Sequence, residues 1–352
     1  MKFFNLSAIA LLFTFLMFGS GCNLVGGKDD DTITCPLDNS KDLVLTIQDQ
    51  FVSLPSSVSV FFKVDDKNDK PIPQLTSDNF VILEKGRNDD CARAVSSFEA
   101  NSKIRPHSQI FTFNTILILD LSASVTATSL SELKEAAKSF IDQVQPENVG
   151  EAYRMSIRWF DGEDKLHLLQ DFTHSNAKLK AAVESITANI SSDPSTDLYG
   201  AVIKGVVKAQ EVLVSYQQQD IISAVSMVIF TDGTDQAARH SKQDALNAVN
   251  NNISNVTTFT IGLGEEIDET VLKQIGRDGS FFAADKEELE AIFNEIAQLI
   301  SSEANSYYLF EYCSPKRDGS GMNELRIEAT SGNLKGSVTT TFDAAGFTSG
   351  CQ

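Results

Sequence analysis

The sequence predicts an α/β protein: a doubly wound, mainly parallel sheet inserted into a β-sandwich that both ends of the chain build. Two observations carry this expectation. Between Phe111 and Ala304, continuous apolar runs of strand length alternate with stretches of helical periodicity. Strands that are apolar on both faces belong to parallel sheets covered by helices on each side. Outside that block the texture is β, with three strand-like runs before it and three after it. Three strands alone bury too little, so the economical solution is one sandwich drawn from both termini.

In chain order, residues 1–21 read as a signal peptide. Met1-Lys2 gives a positive start, Phe3 to Phe18 is almost wholly apolar, and Gly19-Ser20-Gly21-Cys22 ends the run. The run is shorter than the roughly 20 residues a membrane span requires. Two cleavage readings stand side by side. Gly19 and Gly21 offer the small-x-small pattern of ordinary signal peptidase. Gly21-Cys22 resembles the end of a bacterial lipobox, in which Cys22 receives lipid, although Gly19 stands where Leu is usual. The chain holds five cysteines. Setting Cys22 aside leaves Cys35, Cys91, Cys313 and Cys351, an even set suited to an oxidising compartment. Residues 22–34, with Gly26-Gly27 and Asp29-Asp30-Asp31, form a hydrated tether.

The sandwich's first half is assigned to 35–109, with strands at Leu43–Ile47, Val58–Phe62 and Phe80–Leu83. Asp65 to Lys70 reads as a turn; it lacks the central Gly and twelfth-position Glu of an EF-hand loop. The α/β block, 110–304, has strands at Thr115–Leu119, Met155–Phe160, Val225–Phe230 and Val256–Leu263, and a short edge strand at Leu166–Gln170. A helix is expected from about Ser129, because Leu130, Leu133, Ala137, Phe140, Ile141 and Val144 form one apolar stripe. Leu289, Ile292, Phe293, Ile296, Leu299 and Ile300 do the same in the last helix. The second half of the sandwich, 305–352, has strands at Tyr307–Tyr312, Glu324–Ala329 and Ser337–Phe342. The first and third of these run the same way, which brings Cys313 near Cys351 and by elimination leaves Cys35 for Cys91. Four cysteines allow three pairings.

The formal charge is −19, from 29 Lys and Arg against 48 Asp and Glu. Such a surface repels phosphate backbones, so nucleic acid is not an expected partner. No Gly-x-Ser-x-Gly elbow, Walker loop, His-Glu-x-x-His or Cys-x-x-Cys occurs. His107, His167, His174 and His240 are dispersed and read as surface or loop residues, and Trp159 reads as core. An enzyme is not expected.

The chemistry lies at strand ends. Leu117-Ile118-Leu119-Asp120 is followed by Leu121-Ser122-Ala123-Ser124, where ligands bind in a doubly wound sheet. One carboxylate and two hydroxyls at alternating positions suit a hard cation such as Mg²⁺. A second carboxylate, Asp232, follows the strand ending at Phe230-Thr231, with Gly233 after it. Ser195-Thr196-Asp197 opens a further helix that runs through Val214.

Asp120-x-Ser122-x-Ser124, Thr196 before a helix and Asp232-Gly233 after a hydrophobic strand resemble, in order and spacing, the metal-ion-dependent adhesion site of von Willebrand factor type A domains. The resemblance covers roughly Phe111 to Ala304. It implies that Ser122 and Ser124 ligate a divalent ion (Mg²⁺, or Mn²⁺ or Ca²⁺) through their hydroxyls. It further implies that Thr196 binds directly or through water, and that Asp120 and Asp232 sit close or one water away. A partner's Glu or Asp would then complete the octahedron. For Thr196 taken alone, a helix-cap role is the competing reading. The flanks, Lys63 to Lys85 and the Ser306-Tyr307-Tyr308-Leu309 segment, are similar to β segments that frame such domains in bacterial envelope proteins. In a host with two membranes, Asn23 after Cys22, in place of Asp, favours outer-membrane sorting by the same kind of resemblance. Two functions follow: a cation-dependent adhesion module that recruits a protein partner, or a structural envelope component whose metal only ties strand ends together.

Overall fold

The computed structural model describes residues 40–96, 103–105, 111–147, 150–219, 221–251, 255–316 and 321–348. The expected signal peptide and tether, with Cys22, Cys35 and Cys351, lie outside the described residues. The sulfurs of Cys91 and Cys313 are both disulfide-bonded.

The chain begins with five strands: β1 (Leu43–Ser53), β2 (Ser57–Asp66), β3 (Phe80–Lys85), β4 (Arg93–Ala94) and β5 (Lys103–Arg105). The α/β block follows as β6 (Phe111–Asp120), α1 (Ala123–Thr128), α2 (Leu130–Val144), β7 (Tyr153–Phe160) and β8 (His167–Thr173). It continues through α3 (Asn176–Glu184), α4 (Leu198–Gln217), β9 (Ile222–Thr231), α5 (Lys242–Asn250) and β10 (Val256–Leu263). It closes with α6 (Glu269–Ile275), β11 (Gly279–Ala283) and α7 (Leu289–Ala304). Three strands complete the described chain: β12 (Tyr307–Cys313), β13 (Met322–Ser331) and β14 (Leu334–Asp343).

The central sheet has six strands in the order β11-β10-β9-β6-β7-β8. All neighbours are parallel except β7 and β8, a hairpin that puts an antiparallel edge on the sheet. Every residue of β6 is buried, because alternate side chains enter two different cores. Leu117 and Leu119 pack with α2 and α7 on one face. Ile116 and Ile118 pack with α4, α5 and α6 on the other. This double coverage is the reason the strand carries an unbroken apolar run instead of alternation. Gly205 in α4 permits the close approach: a Cβ there would stand 2.7 Å from Ile118 Cδ1 and from Met227 Sδ.

Two four-stranded sheets, β1-β2-β12-β5 and β14-β13-β3-β4, are each built from segments on both sides of the α/β block. Val58, Val60, Phe62, Tyr308, Phe310, Leu325 and Ile327 fill one core. The opposite faces of β2 and β12 present Phe61, Tyr307 and Leu309 to the α/β core instead. β2 and β12 are thus covered on both sides, which explains Val60-Phe61-Phe62 and Tyr307-Tyr308-Leu309-Phe310 as runs. At the point where the chain passes into and out of the block, Phe111 stacks on Tyr307 at 4.9 Å and packs on Phe61 at 5.1 Å between ring centroids.

A buried ionic cluster sits beside those rings. Lys63 Nζ on β2 contacts Asp65 Oδ1 at 3.0 Å and Glu303 Oε1, near the end of α7, at 2.8 Å. Tyr307 donates its hydroxyl to the same Glu303 oxygen at 3.4 Å. Burial raises the Glu303 carboxyl above its ordinary range against the pull of Lys63. Burial alone would lower Lys63, but the carboxylates of Glu303 and Asp65 outweigh it and hold the ammonium above its usual value.

Two expectations need correcting. The first helix begins at Ala123, immediately after Ser122, and a break at Ser129 separates it from α2. The edge strand lies at His167–Thr173 rather than 166–170. The parallel strand β11 and the short β4 and β5 were not foreseen.

Candidate metal centre

β6 lies between β9 and β7, so the chain turns one way from β6 to β7 and later returns to the other side at β9. The crevice at the carboxyl ends of β6 and β9 is therefore the sheet's topological switch point. Asp120 is the last residue of β6, and Asp232 follows the last residue of β9.

The Asp120 carboxylate is fully buried. Its Oδ1 accepts the Ser122 backbone N–H at 2.9 Å, and its Oδ2 accepts the Thr231 hydroxyl at 2.7 Å. Ser122 Oγ and Ser124 Oγ are 3.3 Å apart, and Ser124 donates to Asp232 Oδ1 at 3.0 Å. Asp120, Ser122, Ser124 and Asp232 thus form one hydrogen-bonded cluster. α1 holds the two serines in place, since Thr126 Oγ1 bonds Ser122 O at 3.0 Å and Thr128 Oγ1 bonds Ser124 O at 2.8 Å.

Thr196 arrives on the loop before α4 and is almost wholly buried. Its carbonyl accepts the Gln236 and Ala237 N–H groups at 2.9 and 3.1 Å, and the preceding Pro194 carbonyl accepts Ala123 N–H at 3.2 Å. The backbone therefore laces the Thr196 loop to both of the others. Thr196 is not the helix cap: Asp197 takes that position, accepting Gly200 N–H. The competing reading of Thr196 as a cap is set aside.

Electrostatics give the cluster its character. Burial drives the Asp120 carboxyl up to about 7, the Asp232 charge adds to the rise, and the bonds from Thr231 and Ser122 oppose it. Asp232 is also raised, by burial first and by the Glu266 carboxylate, against the Ser124 bond. Among the described residues no Lys, Arg or His nitrogen lies within 4.0 Å of either carboxylate. Two carboxyls at one strand-end crevice, with two serine hydroxyls between them and no cation beside them among the described residues, match the donor set of a hard divalent ion. The residues fit such an ion.

A second acidic feature lies on the β7–β8 connection. Asp161 Oδ2 accepts Ser191 Oγ, Ser192 N and Asp193 N at 3.0, 3.0 and 3.2 Å. Burial would raise this carboxyl, but those bonds and the Glu163 N–H hold it below its ordinary value. Asp161 thus anchors the turn that leads to Thr196. His167 stacks on Trp159 at 4.0 Å, and His240 lies 3.2 Å from Asp164 Oδ1. His240 lies in the loop before α5, as expected, whereas His167 opens β8 and packs against Trp159, which corrects the expectation for that residue. The carboxylates that they meet come from loop residues with no periodic signal.

A profile of the von Willebrand factor type A domain matches residues 114–295. Among solved structures, a von Willebrand factor type A protein from Catenulispora acidiphila is 13% identical, with 87% of this chain and 74% of that one covered, at a TM-score of 0.44. Proximal thread matrix protein 1 from the mussel byssus, solved with a zinc-occupied MIDAS motif, is 15% identical over 54% of this chain and 48% of its own, at 0.44. The vWF domain of the type V pili tip protein Mfa5 from Porphyromonas gingivalis is 15% identical over 55% of this chain and 96% of its own, at 0.42. The profile spans more than half of the sequence, and the chain belongs to the von Willebrand factor type A domain family.

Proposed function

We propose that the chain is an envelope-anchored protein-binding module that grips an acidic side chain of its partner through a divalent cation. Asp120, Ser122, Ser124, Thr196 and Asp232 would hold the ion, Mg²⁺ in the first instance. When bound, the ion supplies an electrophilic vacancy for a Glu or Asp of the partner. The chain's own residues prepare that role: Ser122 and Ser124 are fixed by α1, Asp120 is fixed by Ser122 and Thr231, and Ser124 positions Asp232.

The observation that carries this reading is the hydrogen-bonded convergence of the buried Asp120, the half-buried Asp232 and the two serine hydroxyls at one strand-end crevice, with no cation against either carboxylate among the described residues. The alternative, an ion that only ties strand ends together, is disfavoured by the backbone lacing, which joins the same loops through the protein itself. The absence of any catalytic motif supports binding over catalysis.

The test is a pull-down from the native envelope with Mg²⁺ or EDTA, using the wild-type chain and Asp232→Ala. A partner retained in Mg²⁺ should fall at least about tenfold in EDTA and in the variant, since losing a ligand should cost no less than outer-shell changes do, about 10–100-fold. Equal retention in all arms would leave only the tying role.

The anchor is proposed at Cys22 and the location at the outer membrane. The remaining cysteines are proposed to pair as Cys35–Cys91 and Cys313–Cys351. Mass analysis of envelope-extracted protein without reduction should find an acylated peptide beginning at Cys22 and both linked peptides. An unmodified Cys22 or different links would reject these assignments. No helix among the described residues is long and apolar enough to cross a membrane.

A further inference from the structure

Asp161 Oδ1, Glu163 and His167 offer three ligand atoms within 4.8 Å of one another, the first two on the connection after β7 and the third at the start of β8. His167 Nε2 lies 3.3 Å from Glu163 Oε2 and 3.8 Å from Asp161 Oδ1. This nitrogen is wholly buried and makes no hydrogen bond. A buried ring nitrogen between two carboxylates, aligned on neither, is an unmet cost for a folded chain. Ligands 2.0–2.1 Å from a tetrahedral zinc stand roughly 3.3–3.4 Å apart; the His167–Glu163 distance matches this, and Asp161 Oδ1 would have to approach slightly.

The surroundings behave as a prepared site. Trp159 stacks on the imidazole with only 11° between the planes, which fixes the ring. Asp161 is held by the Glu163 N–H on Oδ1 at 2.8 Å and by three further donors on Oδ2. Bonds of this kind orient metal ligands and set their basicity. Glu163 and His167 retain 29% and 22% side-chain exposure, so the cluster borders solvent although the His167 nitrogen itself is covered. Glu163 also meets Lys165 at 3.0 Å, but that lysine is 65% exposed, and such pairs are weak. The other His and carboxylate group, Asp164, Asp197 and His240, differs: the Lys204 ammonium already lies against Asp164 and Asp197.

We propose that Asp161, Glu163 and His167 form a second cation site, separate from the Asp120 cluster and suited to Zn²⁺. One imidazole with two carboxylates favours zinc over magnesium or calcium, which take oxygen sets. Because Asp161 also carries the Ser191–Asp193 turn, the ion would bear on the loop that presents Thr196.

The test uses the full chain with Asp120→Asn, which silences the first site whatever its role, so failure here is distinguishable from failure of the reading above. The metal-stripped protein is titrated with Zn²⁺, and separately with Co²⁺, while emission from the single tryptophan, Trp159, is followed. We expect a saturable change at one ion per chain. His167→Gln on the same background should weaken binding by at least about 100-fold, beyond the loss typical of outer-shell changes. Circular dichroism in EDTA checks that this variant is folded; should it fail, Glu163→Gln gives the same decision. No zinc uptake by the Asp120→Asn chain, or uptake unchanged in a folded His167→Gln or Glu163→Gln chain, overturns the proposal.

Discussion

Asp120→Asn is expected to abolish divalent-ion binding at the first site and, without metal, to stabilise the chain above neutral pH. The two effects share one cause. The Asp120 carboxyl ionises near 7 when folded against 3.8 ordinarily, so the metal-free native state keeps a proton that the unfolded chain releases. The stability this group contributes is complete below about pH 3.8 and is lost as pH rises through about 7. Some three units correspond to about 4 kcal/mol at most, withdrawn across that window. Asn removes the charge but keeps the cradle. Its amide oxygen still accepts from Ser122, and the Thr231 hydroxyl can turn to Gly233 O, 3.3 Å away. Melting curves at pH 5 and pH 8, in EDTA and in Mg²⁺, separate the contributions. Wild type should gain about 2.7 kcal/mol at a hundredfold excess of ion over Kd, and the variant nothing. Equal melting of both chains at pH 8 in EDTA, or an equal gain in Mg²⁺, would contradict the account.

Lys63→Ala should be a severely destabilising loss of charge. Removing the ammonium leaves Asp65 and Glu303 facing each other with 11% and 9% side-chain exposure. Breaking a buried pair costs about 3–5 kcal/mol, because the orphaned charge stays desolvated. Lys63→Met combined with Asp65→Asn and Glu303→Gln removes all three charges, leaves none orphaned, and should recover most of that loss, since neutral replacement of a whole buried ionic cluster is often tolerated. Urea denaturation of the three chains decides it. A single variant as stable as wild type would show that water reaches the cluster and that the ion pair carries little.

The parts of the fold that were legible in the sequence are those that one strand or helix decides locally. β6, β9 and β10 announce themselves because residues covered on both faces must be apolar, and α2 and α7 because one stripe faces a core. Asp120, Ser122 and Ser124 were legible as a group because their spacing lies within one turn of chain. α1 was hidden: Ala123-Ser124-Val125-Thr126-Ala127-Thr128 is rich in residues of low helix propensity. Its threonines compensate by bonding back to Ser122 and Ser124. β11 was hidden because five residues beginning Gly279-Ser280 carry little pattern, and pairing with β10 alone makes them a strand. The His167 cluster was hidden for a different reason. Asp161 and His167 come together only when the hairpin closes, and Asp161 is fixed by residues some thirty positions later.

The stacked rings of Phe111 and Tyr307 make the block a cassette. A host sheet that releases its chain and recovers it at a single spot is indifferent to how much polypeptide lies between. Any domain whose own ends meet at that span could be spliced into the same sandwich while the sandwich stays unchanged.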